Sequence, residues 1–307
     1  MNFRFDPRLT EEAVGAALAR QPMLAFRYRA EVESLYDDFP LDEREAAFER
    51  LHATWFAALE LDRPLRLIFD EFPNITPAVS SVFVGRADRD SDEGALLASR
   101  SARVGLRLLP RRCVEADALS RLLRHELTHV TDMLNPAFGY PERPPSGATA
   151  GENLIRDRYR LLWDLSVDGR LARAKKKTIA DAGARRRELD AMYRSLPDTA
   201  RAALFDRLWG AADVTHDRLW AMASDVRTLL AFAGVSGGVD VSGGPMPGAR
   251  CPLCKFPTYA WSPPLEPHVA AILQLDFPNW HPDDGVCDRC AELYRMLAAN
   301  AVRALCG

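Results

Sequence analysis

LSRLLRHELTHVTDML, residues 119–134, decides how the rest of the chain is read. Leu119, Leu122, Leu123 and Val130 recur at helical spacing, which predicts an amphipathic helix over 114–134. Positions four apart on a helix lie one turn apart on one face, so His125 and His129 can offer their imidazoles to one metal ion. Glu126, between them, can reach a water on that metal and act as its base. Asp132, three residues past His129, suits a role orienting a ligand imidazole. Asn135-Pro136 ends the helix, because proline disfavours helical backbone at the residue before it.

Upstream, LRLIFDEF, SSVFVGRA and ARVGLRLLP, all within 63–110, are short, rich in β-formers and separated by turn residues. They predict three strands of a small sheet. Residues 1–60 predict helices, with LAFRYRAEVESLYDDF and LDEREAAFERLHATWFAALE carrying the three- and four-residue spacing. His52, in the second of these, reads as a core-edge histidine, and Cys113 as a small buried hydrophobe.

Downstream, the proline- and glycine-rich stretch 136–151 reads as the rim of a cleft, and 152–174 predicts a second informative helix. With Leu154 as reference, Leu161 and Leu165 fall within about 20° of it, while Asp157, Asp164 and Asp168 share a stripe at roughly 280° to 320°. Asp168 lies closest to the apolar side. A catalytic zinc needs a third protein ligand and an open position. No histidine occurs between His129 and His216, so a carboxylate is expected from Glu152, Asp157, Asp164 or Asp168. The bland alternative is a solvated helix face paired with Arg156, Arg158 and Arg160. Tyr140, Tyr159 and His216 are candidates for stabilising an oxyanion, and helices near 180–195, 197–210 and 213–233 complete the α-rich part.

The 307 residues suffice for one large domain and a small one, and 48% hydrophobic with 27% charged residues is an ordinary globular composition. A net charge of −3 gives no general reason to expect nucleic acid or an anionic membrane as partner. Residues 170–187 hold eight Lys/Arg against one acid but no interleaved aromatic residues, so a solvated turn is expected rather than a nucleic-acid contact. The start, MNFRFDPRLTEEAV, lacks an apolar core for secretion, and no run is long enough to span a membrane. A cytoplasmic protein is expected.

Six glycines and two prolines within 234–250 predict a linker between a domain over 1–233 and a module over 251–307. Cys251-Pro-Leu-Cys254 and Cys287-Asp-Arg-Cys290 can direct four thiolates at one Zn²⁺, a closed structural site. From Arg250 to Gly307 there are five Lys/Arg against six Asp/Glu, and four thiolates on zinc add further negative charge. That balance favours a folding or protein-contact role over phosphate binding.

HELTH after a small sheet, followed by an acid-bearing helix, resembles the zincin metallopeptidases. LLWDLSVDGRL is similar to the W-N-x-x-x-D helix of bacterial zincin-like metallopeptidases that accompany von Willebrand A domain proteins. That resemblance implies Asp168 as third zinc ligand, with Asp164 standing where the pattern has asparagine and serving as the alternate. The order of such a domain and a two-CxxC ribbon also resembles SprT-like proteases, whose third histidine this chain lacks. The expectation is an α+β, zincin-like domain followed by a zinc ribbon, with one catalytic and one structural Zn²⁺. Its activity would be peptide-bond hydrolysis on a peptide or protein, with no membrane partner and a protein contact through the ribbon. Rival expectations are a non-hydrolytic zinc-binding interaction protein and a nucleic-acid-associated factor.

Overall fold

The computed structural model describes residues 1–98, 103–141, 150–194, 196–235, 250–256, 258 and 260–305, with the backbone alone for 150–152, 283 and 300–305. Most of the expected cleft rim and nearly all of the expected linker lie outside the described residues, as does the side chain of Glu152. The architecture is α+β, helix-rich with one four-stranded sheet.

The chain begins with β1 (Asn2–Phe5), α1 (Pro7–Leu18), α2 (Pro22–Asp38), α3 (Leu41–Ala58), α4 (Arg63–Asp70) and α5 (Ile75–Ala78). The strands β2 (Ser81–Arg86), β3 (Gly94–Ala98) and β4 (Arg103–Leu108) follow, then α6 (Ala116–Leu134) and α7 (Ala150–Arg173). The remaining helices are α8 (Ala182–Met192), α9 (Asp198–Gly210), α10 (His216–Ser224), α11 (Val226–Ala233), α12 (Pro267–Asp276) and α13 (Asp288–Leu305).

Two compact units result. One comprises Met1–Glu142, Ser166–Ala182 and Ala212–His216; the other comprises Arg143–Leu165, Gly183–Ala211 and Asp217–Gly307. The continuous helix α7 starts in the second and finishes in the first.

In the first unit the strand order is β1-β2-β4-β3, with β1, β2 and β4 parallel and β3 antiparallel at the edge. Val82 and Val84 of β2 and Val104, Leu106 and Leu108 of β4 project from alternate positions into one core. Leu119, Leu122, Leu123, Leu127 and Val130 of α6 fill that core from the helix side. This packing fixes which face of α6 carries the histidines. A neighbouring core joins α1 and α3 through Ala13, Val14, Trp55 and Phe56, and it holds Cys113, whose thiol burial pushes up to about 12. His52 is buried beside Tyr28 and Phe48.

Two expectations need correction, the strand over LRLIFDEF and the wholly helical stretch over 1–60. LRLIFDEF is not a strand, because most of it forms α4. Leu65, Ile68 and Phe69 are its buried residues, a helical i, i+3, i+4 set, and Pro64 stands in the first turn, where its missing N–H costs nothing. The β-forming character of isoleucine and phenylalanine gives way to that periodicity. The third parallel strand is instead β1, whose Asn2 registers with Ser81 far along the chain. Asp6 then caps α1 by accepting from the Arg8 N–H at 2.8 Å.

In the second unit α9 and α11 pack together, and α11 ends on Gly234 in the left-handed conformation that closes a helix without a Cβ clash. The segment from Arg250 onward has its own core of Cys251, Val269, Leu273, Trp280, Val286 and Tyr294.

Candidate metal centres

α6 brings His125 and His129 together as its sequence spacing requires. Their Nε2 atoms face each other at 3.1 Å, and the residues are 4% and 9% exposed. Two nitrogens bound tetrahedrally at the usual Zn–N length stand about 3.3 Å apart. The pair is therefore spaced as a metal would hold it. One nitrogen of each ring and a carboxylate oxygen of Asp164 lie within 4.8 Å of one another, giving two imidazoles and one carboxylate. That donor set suits zinc and leaves coordination positions open.

Asp168, one turn further along α7, is fully buried, with Oδ1 2.9 Å from Nδ1 of His125. It faces the nitrogen opposite the one turned toward His129. A carboxylate there fixes the imidazole's tautomer and ring orientation and raises its basicity. The acid stripe on α7 thus has two members on the histidines, in different positions. Asp157 lies instead on a cleft of about 520 Å³ in the second unit, lined also by Leu154, Arg160, Asp164, Arg185 and Glu188. Arg185 is buried, with Nη1 2.7 Å from Glu188 and 3.5 Å from Asp164.

Asp132 accepts two bonds from Arg170, at 2.8 and 2.5 Å, so α6 and the end of α7 are joined by a forked ion pair beside the histidines. Glu126 meets the sheet: its Oε2 accepts the backbone N–H of Ala95, on edge strand β3, at 2.8 Å. Among the oxyanion candidates, Tyr140 and His216 are in edge-on ring contact at 5.5 Å. Tyr159 packs against Trp163 and Trp220.

The basic segment is occupied by acids of its own fold. Lys176 pairs with Glu71 at 2.9 Å and Lys177 with Asp117 at 2.7 Å. Glu71 also binds Arg124, the residue before His125, and that guanidinium is the main reason its carboxyl drops from 4.5 to about 2. These lysines clasp the histidine-bearing helix, as a structural segment would.

The second centre lies at the C-terminal end. Sulfurs of Cys251, Cys254, Cys287 and Cys290 lie within 4.8 Å of one another, and Cys254 and Cys287 are 3.9 Å apart, near the roughly 3.8 Å expected for two thiolates on one zinc. The first pair sits in a tight knuckle. Cys251 donates its N–H to Phe256, Lys255 donates to Cys251, and Lys255 adopts a positive φ of 60° to close the turn. The second pair opens α13, with Cys287 just before its first residue. Burial opposes the Cys251 thiolate, but the backbone N–H groups of Cys287, Cys254 and Leu253 outweigh it and bring that thiol down to about 7. The four sulfurs fit a closed tetrahedral site.

Comparisons with protein-family models, with curated proteins and with solved structures find no match. Function is therefore read from these residues. Among the described residues, no helix is long and apolar enough to cross a membrane.

Two partners of the candidate acids escape sequence reasoning. The Ala95 N–H is a backbone donor and carries no side-chain signature. Arg185 belongs to a run of three arginines, and only its burial separates it from Arg186 and Arg187.

Proposed function

We propose that the chain is a zinc-dependent peptide hydrolase of zincin-like architecture, with Glu126 as its general base. The observation that carries this reading is the tether of Glu126 to edge strand β3, beside the His125–His129–Asp164 donor set. His125, His129 and Asp164 would hold the catalytic metal, with Asp168 behind His125. This assigns the third ligand to Asp164, the alternate, rather than to Asp168. Zn²⁺ bound there would bring the pKa of a water toward about 7 and polarise a carbonyl.

The chain's own residues do the rest. Glu126 has one oxygen on the Ala95 N–H and a second with which to take the proton of an attacking water and pass it to the leaving amine. Asp168 keeps the Nδ1 proton of His125 in place, so that Nε2 is the donating nitrogen. Tyr140, Tyr159 and His216 stay the candidates for stabilising the developing oxyanion. Strand β3, last in the sheet order, would offer backbone groups to an extended substrate. The four cysteines would hold a second, structural zinc.

The test uses unfolded casein and a quenched-fluorescent peptide library. Wild type should cleave, and a zinc chelator should stop it. Glu126→Gln should keep two zincs per chain and lose at least about a hundredfold in rate, the usual worth of a general base. Undiminished cleavage by Glu126→Gln removes the base. Two bound zincs with no cleavage by wild type would favour the non-hydrolytic, structural alternative.

A further inference from the structure

The strand that holds Glu126 is itself held by a half-buried ion pair. We propose that Glu93 and Arg112 are positioning residues for Glu126, acting through Gly94 and Ala95; the proposal rests on reading Glu126 as the base. Glu93 stands immediately before β3, and its side chain is only 3% exposed. It accepts from Arg112 Nε at 3.1 and 3.0 Å, from Arg112 Nη2 at 2.7 Å and from the Leu109 N–H at 3.0 Å. Arg112 belongs to the 3₁₀ turn over 110–114 that leads into α6, and its Nη1 lies 3.5 Å from Glu115, the residue before that helix. One forked, largely desolvated pair thus ties the start of β3 to the start of the helix that carries Glu126.

Only Gly94 separates this anchor from Ala95. Its φ is +156°, and a Cβ built there would lie 3.5 Å from Glu126 Oε2, so the glycine backbone runs directly beside the carboxylate. Extended backbone has little slack over two residues, so a shift at Glu93 passes to the Ala95 N–H. The hydrogen bond from that N–H fixes one Glu126 oxygen and thereby aims the other. A purely structural pair would be expected to lower melting temperature and zinc content together, leaving turnover per folded, loaded molecule unchanged.

The full chain, zinc-loaded and labelled with ¹⁵N-alanine, allows the two roles to be separated, with the Ala95 amide assigned through Ala95→Ser. In Glu93→Gln and Arg112→Met the Ala95 amide signal should move toward its position in Glu126→Gln, and its hydrogen exchange should quicken at least about tenfold. On any peptide that wild type cleaves, kcat should fall about tenfold with KM within twofold, at two zincs per chain, in line with losing a charge-assisted bond. Glu93→Gln preserves the side chain's size and can still accept from Leu109, so it serves even if Arg112→Met fails to fold. Arg63→Met, which removes an exposed pair with Glu60, is the control and should change nothing. An Ala95 amide unmoved in Glu93→Gln overturns the proposal. If that amide responds but wild type cleaves no peptide, the positioning chain stands and the hydrolytic reading alone falls.

Discussion

Replacing Asp164 by alanine and Asp168 by asparagine should have unequal effects on zinc. Asp164 supplies one of three donor atoms grouped within 4.8 Å, so Asp164→Ala leaves two imidazoles and no anion. Its zinc count should fall from two per chain to one after dialysis against micromolar metal. Asp168 is fully buried and 2.9 Å from Nδ1 of His125, on the side away from His129. Asparagine there keeps an acceptor oxygen but loses the charge that makes the imidazole basic. Loss of such an outer partner weakens metal binding 10- to 100-fold, or about 1.4–2.7 kcal/mol. Asp168→Asn should therefore still reach two zincs at saturation, with the first site released earlier in a titration with a chromophoric chelator. Elemental analysis gives the count and the titration gives the affinity ratio. Two zincs retained by Asp164→Ala, with one lost from Asp168→Asn, would exchange the roles and refute the argument.

Three further outcomes follow from the packing and the charges. Cys287→Ser should remove one zinc and the near-ultraviolet signal of Trp261 and Trp280, both in the cysteine module, while the His125 site stays loaded; joint loss of both zincs would count against independent sites. Glu71 has its folded pKa lowered to about 2 from 4.5, so its stabilisation is complete above about pH 4.5 and disappears as pH falls toward 2. With the side chain 29% exposed, the effect after solvent screening is about 1 kcal/mol; urea unfolding at pH 6 and pH 3 should show it shrink in Glu71→Gln. Leu127→Ala removes a fully buried side chain between α6 and the sheet and should cost about 2–5 kcal/mol in the same assay, a loss below 1 kcal/mol meaning that the core closes over the gap.

Local chemistry was legible in the chain and long-range placement was not. The face of α6 with His125 and His129 follows from helical geometry alone, and each CxxC pair dictates its own turn. By contrast, β1 is four residues whose partner lies beyond five helices, so no neighbouring turn marks it as a strand. The helix α4 misleads because its residues favour strands while their spacing favours a helix. The acids of α7 show the same limit. A helical wheel puts Asp164 and Asp168 on one stripe, but which reaches the metal side of His125 and which its back depends on how α7 lies against α6. Glu93 and Arg112 carry no motif; their burial together is a tertiary fact.

The parallel half of the sheet has a consequence for the order of folding. Strands β2, β3 and β4 and helix α6 are close in sequence and share one core, so they can condense with modest loss of loop entropy. Adding β1 requires closing a loop through α1 to α5, because Phe3 registers with Val82 and Phe5 with Val84. Such non-local pairing slows folding. The outer edge of β2 should then stay bare in a late intermediate whose histidine pair is already formed. Zinc added early in refolding would meet that species, and its uptake at His125 and His129 should precede the protection of the Val82 and Val84 amides from exchange.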